Sequence, residues 1–145
     1  MKSIFKKICT ASDHAGFGLK DAIVDFLVNK QISIIDLGPK NNSSVDYPDF
    51  AKKVSKRVKS GKSDVGILVC GSGMGMSMAA NKHKKIRAAM CYSIKNTKLS
   101  RLHNNANIIT LGSRLTKKNI AFKCIETFIN TKFEGGRHKK RVNKI

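Results

Sequence analysis

Short apolar runs alternate with helix-period segments along this chain, and this order constrains the fold more than any other feature of the sequence. Strands are predicted at 3–12, 32–37, 65–70, 86–92 and 107–112, where the apolar runs are short and bounded by turn residues. Helices are predicted at 17–29, from Pro48 to a C-cap at Gly61, and at 74–83, 95–104 and 117–130. Strands that alternate with helices favour a parallel sheet covered on both faces. The sequence therefore predicts an α/β fold, a three-layer α/β/α Rossmann-like sandwich with a five-stranded parallel sheet.

Length and composition indicate a globular protein. With 145 residues, of which 41% are hydrophobic, one domain over residues 1–145 is expected to bury one core. No apolar run approaches the roughly 20 residues of a membrane helix, and no signal-peptide core follows the basic N-terminus. We therefore expect a cytoplasmic protein without a membrane partner. Four scattered cysteines without a CxxC pair indicate neither a zinc site nor a disulfide framework.

The charge of the chain is strongly positive and indicates an anionic partner. Lys and Arg number 29 and Asp and Glu number 9, which gives a net charge of +20. Such a chain can bind nucleic acid, but its basic residues are mostly lysines that spread along the sequence instead of forming one stripe. The favoured interpretation is a basic surface that attracts small anionic substrates and reflects a compositional bias toward Lys, Ile and Asn. Nucleic-acid binding is the less favoured alternative, and no specific nucleic-acid partner is expected.

A cysteine directly before a glycine-rich turn is the strongest chemical signal in the sequence. Cys70 ends the predicted third strand, and the turn Gly71-Ser72-Gly73-Met74-Gly75 leads into a helix. Glycines let the backbone approach a ligand closely, and a helix N-terminus offers N–H groups to negative charge. The turn lacks both the dinucleotide fingerprint and a Walker lysine. Cys70 is either a thiol activated as base or nucleophile, or an inert buried cysteine.

Three polar segments are expected to meet at one edge of the sheet, because ligands of such sheets bind beyond the carboxyl ends of the strands. Strands one, three and five end in Ser12-Asp13-His14, Cys70-Gly71-Ser72 and Gly112-Ser113-Arg114. A histidine at a strand end suits phosphate binding or acid–base chemistry. The alternative for Asp13 and His14 is that they only cap the next helix.

Other polar residues have a structural interpretation that competes with a functional one. His103 precedes the fifth strand, Tyr47 precedes Pro48, and Arg137 and Arg141 lie in the basic tail 135–145. On a helix the two arginines share one face, since they are four residues apart, and two guanidinium groups match a phosphate. The alternatives are a structural histidine, a tyrosine that covers the core, and a disordered tail.

Several segments resemble the ribose-5-phosphate isomerase B family, which also includes galactose- and allose-6-phosphate isomerases. The matches follow one another in order from about residue 4 to residue 142, and so many ordered matches make chance similarity improbable. They are Ser12–Gly16, Asp36–Gly38, Asp46–Pro48, Cys70–Gly75, Ala79–Lys82, Ser100–Asn107, Leu111–Arg114 and Phe133–His138.

The resemblance implies a homodimer, often paired into tetramers, with active sites at the subunit interface and no metal or organic cofactor. It implies that Cys70 is the base, because Met76 stands where another branch of the family has a glutamate. His103 resembles the residue that opens the sugar ring, with Asp13 nearby, and Ser72 keeps a hydroxyl where many relatives have threonine. The ligands of phosphate and sugar implied by position are His14, Asn104, Arg114, Arg137 and Arg141. The last two are expected to serve the site of the partner subunit.

The activity implied by the resemblance is an aldose–ketose isomerisation between ribose 5-phosphate and ribulose 5-phosphate. Cys70 would move a proton between neighbouring carbons through an enediolate, and Tyr47 is a further candidate for contact with the substrate. Backbone N–H groups from Gly71 to Gly75, including those of Gly73 and Met74, are expected to stabilise the enediolate oxygen. The nearest alternative is an allose- or galactose-6-phosphate isomerase, because sequence does not settle the length of the pocket. A noncatalytic sugar-phosphate sensor is less favoured.

Overall fold

Five parallel strands form one sheet in a computed structural model that describes residues 2–145. The strands are β1 (Ile8–Ser12), β2 (Ile34–Asp36), β3 (Val65–Cys70), β4 (Ala88–Met90) and β5 (Ile108–Gly112). Their order across the sheet is β2-β1-β3-β5-β4, and every neighbouring pair is parallel. The predicted five-stranded parallel sheet is therefore confirmed, with β1, β3 and β5 as its central strands.

Helices cover both faces of this sheet, as predicted. They are α1 (Phe17–Asn29), α2 (Tyr47–Lys59), α3 (Met74–Ala80), α4 (Ile94–Leu102), α5 (Lys118–Asn130) and α6 (Arg137–Val142). Apolar side chains of α1 and α5 pack on one face, and those of α2 and α3 pack on the other. Leu27 and Phe128 are fully buried in the first core, and Val54 and Met76 in the second.

Alternation along the central strands produces these two cores. In β3, Ile67 and Val69 point into the core under α1 and α5, whereas Leu68 and Cys70 point into the core under α2 and α3. Each large apolar side chain that is fully buried contributes about 1.5–3 kcal/mol relative to exposure. Because successive side chains of a strand point to opposite faces, the last residue of β3 places its sulfur on the side of α2 and α3.

Strands β1, β2 and β4 are clearly shorter than the apolar pattern predicts. β1 begins at Ile8 instead of residue 3, because the preceding segment bonds elsewhere, with the N–H of Ile4 donating to the carbonyl of Ile129 at 2.9 Å. β2 and β4 have three residues each, since each is an edge strand with one pairing neighbour. The apolar residues before β1 therefore mark packing against the end of α5, and not strand pairing.

The end of α3 and the C-terminal tail also differ from what the sequence predicted. α3 ends at Ala80 instead of residue 83, because the N–H groups of Lys82 and His83 bond to carbonyls three residues earlier, which is the tighter turn of a helix end. The basic tail forms α6, so the alternative of a disordered tail is wrong, and Arg137 and Arg141 share one helix face. No helix among residues 2–145 is long and apolar enough to span a membrane.

Candidate active site

A cavity of about 400 Å³ opens at the carboxyl ends of β1, β3 and β5. Its walls are Asp13, Tyr47, Cys70, Gly71, Ser72, Gly75, Arg114 and Leu115. The polar segments expected at this edge do meet, because β1 and β5 pair with opposite sides of β3. Leu115 is the wall residue that the sequence pattern did not indicate, although it directly follows Arg114.

Cys70 places its sulfur under the glycine turn. The residue is 4% exposed, and its Sγ accepts a hydrogen bond from the N–H of Gly73 over 3.1 Å. Such a donor points partial positive charge at the sulfur. Cys70 also lines the cavity, so a bound molecule can reach the sulfur.

The glycine turn rests against the end of β5. Gly73 has a φ of +79°, and a Cβ at this position would lie 3.0 Å from the carbonyl carbon of Leu111, so only glycine fits. The carbonyl of Gly73 accepts a hydrogen bond from the hydroxyl of Thr110 at 2.9 Å. The N–H of Met74 donates to Ser72 Oγ at 3.2 Å. Two N–H groups that were expected to face a ligand, those of Gly73 and Met74, thus have acceptors inside the site.

Asp13 follows β1 and is held by hydrogen bonds to β3 and to its own loop. Its N–H donates to the carbonyl of Val69 at 3.2 Å, and its Oδ1 accepts the N–H of Gly16 at 2.8 Å. The hydroxyl of Ser113 donates to the carbonyl of Ala15 at 2.8 Å, which ties this loop to the loop after β5. Since Asp13 also lines the cavity, its carboxylate can accept a hydrogen bond from a ligand hydroxyl.

Tyr47 and Arg114 form another part of the wall, where two glycines give them room. The ring of Tyr47 lies so close to Gly75 that a Cβ there would be 2.7 Å from two of its carbon atoms. The guanidinium of Arg114 lies over Gly71, where a Cβ would be 3.1 Å from Nη1. A phenol hydroxyl and a guanidinium are donors suited to sugar oxygens and to phosphate.

His14 lies next to Asp13 in the chain but does not line the cavity. Its Nδ1 accepts the N–H of Val45 at 3.2 Å, which places the proton of the neutral ring on Nε2. The residue is exposed. Its Nε2 can therefore donate to an anion that extends beyond the cavity.

His103 lies at the opposite end of the sheet from Cys70. It follows α4 and precedes β5, which places it at the amino ends of the parallel strands. Nearby, the carbonyl of Asn107 accepts the N–H of Gly66 at the start of β3. A strand of six residues, the length of β3, spans roughly 16 Å, so one chain does not bring His103 to Cys70. The expectation that His103 lies near Asp13 is wrong within a single chain.

Three more predicted ligands lie outside the cavity and on the side of His103, namely Asn104, Arg137 and Arg141. Asn104 is the next residue of the chain, and both arginines are exposed on α6. The segment before α6 is tied to the end of α4, because the N–H of Glu134 donates to the carbonyl of Leu102 at 3.1 Å. The structure therefore groups these residues together, but away from the thiol.

His103 stacks on His138 of α6. The ring centroids are 4.2 Å apart and the planes differ by 14°, while oxygens of Glu134 lie 3.8 and 3.9 Å from the two Nε2 atoms. Burial lowers the pKa of His138, and His103 lowers it further, whereas Glu134 acts in the opposite direction. His138 is a buried residue that the sequence pattern did not single out, and as a neutral ring it anchors α6 to α4.

The same three side chains are close enough to be considered as a metal site. Their ligand atoms lie within 4.8 Å of one another. A metal ion lies close to the plane of each imidazole that binds it, because the nitrogen lone pair is in the plane of the ring. Two rings stacked face to face share no such point. The arrangement therefore suits ring packing, and not a shared ion.

The other cysteines differ from Cys70 in their surroundings. Cys9, Cys91 and Cys124 are buried and do not line the cavity. Burial raises the pKa of all three thiols, to about 11 for Cys91. At neutral pH these three stay protonated, which leaves Cys70 as the cysteine placed to act on a bound molecule.

A larger cavity, of about 500 Å³, is lined by residues of α1, α2 and the loop after β2. Its buried charge is Lys20, whose Nζ donates to both carboxylate oxygens of Asp36 at 2.9 and 2.8 Å and to the carbonyl of Pro39 at 3.0 Å. An ammonium group has three donors, and all three are used. Since Lys20 has no donor left for a ligand, the cavity at Cys70 is the better candidate for catalysis.

Nearly the whole chain is similar to known isomerases. Residues 8–145 match the family described as Ribose/Galactose Isomerase. Ribose-5-phosphate isomerase B of Escherichia coli strain K12 is 41% identical over 140 residues, which cover 97% of this chain and 94% of that protein.

Two solved structures have nearly the same fold. A ribose 5-phosphate isomerase from Thermotoga maritima matches with a TM-score of 0.94 and 48% identity over 95% of each chain. Ribose-5-phosphate isomerase B from Mycoplasma genitalium, solved with bound ribulose-5-phosphate, matches with a TM-score of 0.90 and 45% identity, over 94% of this chain and 91% of that chain. The resemblance found in the sequence motifs is confirmed, and this chain belongs to the ribose/galactose isomerase family of sugar phosphate isomerases.

Proposed function

We propose that this isomerase interconverts ribose 5-phosphate and ribulose 5-phosphate, with Cys70 as the base. The observation that carries the proposal is the sulfur of Cys70 on the cavity wall, with the N–H of Gly73 donating to it at 3.1 Å. As a thiolate, this sulfur can take a proton from a carbon next to a carbonyl. The bound ribulose-5-phosphate in the related enzyme of Mycoplasma genitalium supports a five-carbon substrate.

Met76 takes no part in the proton transfer of this proposal, whereas Asp13 does. Met76 is fully buried in the core and has no ionisable group, so it does not compete with Cys70 for the proton. Asp13 lines the cavity and has its Oδ1 bonded to Gly16. A carboxylate held in one orientation can accept a proton from a sugar hydroxyl, so we assign Asp13 to hydroxyl binding and to taking that hydroxyl proton during the ring opening that His103 assists.

The reaction moves one proton from C2 to C1 of the opened sugar. The thiolate of Cys70 takes the C2 proton, the C–H electron pair forms the C1=C2 bond, and the carbonyl pair moves to O1. The hydroxyl of Ser72 passes a proton from O2 to O1. The C2=O bond then forms, and Cys70 returns its proton to C1. A general base contributes about 10²–10⁴-fold to such a step, so positioning and charge stabilisation must contribute the rest.

The N–H groups of Gly71, Ser72 and Gly75 are the turn donors that we assign to the enediolate oxygen. Among residues 2–145 no acceptor binds these three N–H groups, whereas those of Gly73 and Met74 already have acceptors. A fixed donor of this kind is worth roughly 3–4 kcal/mol when it stabilises charge that forms in the transition state. This assignment narrows the set of donors that the sequence suggested.

A complete site requires a second copy of the chain. The cavity has Cys70, Ser72 and Arg114 on its walls, but the predicted ring-opening His103 lies at the other end of the same sheet. In a two-fold dimer each chain can offer its amino-end group to the cavity of the other, and the exchange is mutual. The stack of His103 on α6 holds histidine and tail together, which supports a tail 135–145 that reaches the partner.

Each residue that the partner chain would supply has a role in the proposal. His103 opens the sugar ring, and Asn104 binds the sugar beside it. Arg137 and Arg141 are exposed on one face of α6 and bind the phosphate, since paired guanidinium groups match phosphate oxygens. Arg114 and His14 approach the phosphate from the chain that supplies the thiol.

An allose- or galactose-6-phosphate isomerase is the second candidate. The family that the chain matches is described by both ribose and galactose, and the proton transfer is the same for both sugars. Leu115, on the cavity wall and 64% exposed, leaves room for a longer sugar. Binding differences of one carbon unit are worth only about 1–3 kcal/mol in such pockets.

Turnover by the purified full-length chain tests the proposal. Wild type and Cys70→Ala are assayed with ribose 5-phosphate, allose 6-phosphate and galactose 6-phosphate. We expect the highest kcat/KM with ribose 5-phosphate and a loss of at least about 10²-fold in kcat for Cys70→Ala, with unchanged circular dichroism. Near-normal turnover by Cys70→Ala would remove the thiol from the mechanism, and a preference for a six-carbon sugar would favour the second candidate.

A further inference from the structure

We infer that Thr110 is a positioning residue that holds the glycine turn on the sulfur of Cys70, which rests on the proposed role of that sulfur as base. Thr110 lies in the middle of β5, is fully buried and does not line the cavity. Its hydroxyl donates to the carbonyl of Gly73 at 2.9 Å. The N–H of the same glycine donates to Cys70 Sγ at 3.1 Å. The Thr110 side chain, which does not line the cavity, is thus linked to the sulfur of Cys70 through two hydrogen bonds of Gly73.

The glycine turn needs a hydrogen bond from outside itself to stay in one conformation, because glycine restricts the backbone less than any other residue. The carbonyl of Gly73 accepts two hydrogen bonds, one from Thr110 and one from the N–H of Ser77 at 3.2 Å. The bond from Ser77 belongs to the first turn of α3 and moves with that helix. The bond from Thr110 comes from the sheet, so it fixes the turn relative to the strand that ends in Cys70.

The peptide unit between Gly73 and Met74 links the hydrogen bond from Thr110 to the side chains of both Ser72 and Cys70. The peptide between Gly73 and Met74 has its oxygen bonded to Thr110 and its N–H bonded to Ser72 Oγ at 3.2 Å. Because a peptide unit is planar, fixing its oxygen also fixes the direction of its N–H. The same oxygen fixes ψ at Gly73, which leaves less freedom for the N–H that meets Cys70.

Thr10 provides a matched control within the same sheet. It is fully buried on β1, and its hydroxyl donates to the carbonyl of Ile67 at 2.9 Å. Residue type, burial, kind of acceptor and distance are therefore the same as for Thr110. The acceptor of Thr10 belongs to a strand and not to the glycine turn. Loss of its hydroxyl measures the general effect of removing a buried hydrogen bond.

The test compares Thr110→Val with Thr10→Val, because valine keeps the branched shape and removes the hydroxyl. Two quantities are measured: the rate at which iodoacetamide alkylates Cys70 at neutral pH, followed by peptide mapping, and kcat and KM for ribose 5-phosphate. Thr110→Val is expected to lower the alkylation rate and kcat by about fivefold each with KM unchanged, since the hydrogen bond from the N–H of Gly73 to the sulfur is weakened. Thr10→Val is expected to change neither by more than about twofold, and Thr110→Ser to retain both.

Two results would overturn the inference. One is wild-type alkylation and turnover in Thr110→Val, and the other is an equal loss in Thr110→Val and Thr10→Val. If Thr110→Val does not fold, Thr110→Ala and Thr110→Ser differ by one hydroxyl and give the same comparison. Alkylation requires no turnover. A wild-type chain that is inactive on ribose 5-phosphate would therefore reject the proposed function, while the alkylation rates would still decide the role of Thr110.

Discussion

Glycines set the distances between backbone segments at the cavity of this isomerase. Gly73 combines a φ of +79° with a contact to β5 that a Cβ would bring to 3.0 Å, and a Cβ at Gly112 would lie 2.5 Å from the carbonyl carbon of Ser72. At each position the neighbouring atom is backbone, which cannot turn aside as a flexible side chain can. The turn over the thiol therefore depends on the absence of side chains at these two residues.

Gly73→Ala is expected to lower the free energy of unfolding by about 2 kcal/mol or more and to abolish most of the isomerase activity. Alanine there would suffer from both the left-handed φ and the contact with Leu111. Gly61→Ala is the matched control, because Gly61 has a φ of +78° with nothing within 4 Å of a Cβ. Only about 1 kcal/mol should be lost there. Urea unfolding measures both changes, and equal losses would contradict a special role for the contact with β5.

The position of the thiol under the glycine turn could be predicted from the sequence because Cys70 and its turn are adjacent in the chain. Adjacency fixes proximity before any tertiary structure is known. The contributions of Thr110 and Leu115 could not be predicted in this way. They depend on β5 lying beside β3, and the pattern of apolar residues predicts strands without giving their order across the sheet.

At the scale of elements, α6 is attached to the domain through the end of α4. His138 of α6 is buried and stacks on His103 at 4.2 Å. The end of α4 is itself fixed, because the guanidinium of Arg101 is buried and donates to the carbonyl of Thr131 at 3.0 Å. The position of the arginines on α6 therefore depends on this ring stack and on the hydrogen bond from the N–H of Glu134 to the carbonyl of Leu102.

Acid is expected to loosen α6. Burial holds the pKa of His138 below its ordinary value of 6.5, whereas a detached α6 would expose the ring to water. The detached state then binds the proton more readily, so docking is complete above a pH of about 6.5 and is lost as the pH falls below it. Hydrogen exchange of the amides of 137–142, corrected for the intrinsic rate, should show more frequent opening near pH 5.5 than near pH 7.5.

His138→Phe is the control for this prediction, because phenylalanine keeps a stacking ring that cannot be protonated. The pH dependence of exchange should disappear in this variant, and the helix should stay docked. Lys140→Ala, which changes an exposed residue of the same helix, should behave as wild type. If His138→Phe opens in acid as wild type does, another group controls the docking.

The elements themselves were predictable from the sequence in kind and order, and less so at their ends. The central strand β3 has the predicted bounds, 65–70, because it is buried on both faces and its apolar run is continuous. β1 begins five residues later than predicted, at Ile8, since periodicity does not distinguish pairing with a strand from packing against a helix. Contacts between distant segments, such as that of Ile4 with Ile129, decide such boundaries.

At the scale of the whole molecule, the net charge of +20 should favour the approach of a doubly charged sugar phosphate. Attraction over such distances is screened by salt. Between about 10 and 200 mM sodium chloride, kcat/KM is expected to fall several-fold, while kcat at saturating substrate stays constant. Initial rates measured over this range of salt concentration give both kcat/KM and kcat. A kcat/KM that does not change with salt would show that the basic surface does not assist substrate binding.

A single chain keeps the proposed site residues in two separate groups, one at each end of the sheet. Cys70 and Asp13 lie at the carboxyl end of the sheet, and His103 with α6 lies at the amino end. A sequence comparison assigns roles to residues one at a time and does not say which chain provides them. The direction of α4, which returns from the carboxyl to the amino end of the sheet, is what separates them.

A mixed dimer of two impaired variants tests the shared site most directly. Cys70→Ala lacks the proposed base and His103→Asn lacks the proposed ring-opening group, so each variant alone should have less than about a hundredth of wild-type activity on ribose 5-phosphate. Co-expression with two affinity tags isolates dimers with one chain of each kind. If sites are built from two chains, one of the two sites in that dimer contains both intact residues, and about half of wild-type activity returns. A mixed dimer that stays as inactive as its parents would contradict a site shared between two chains.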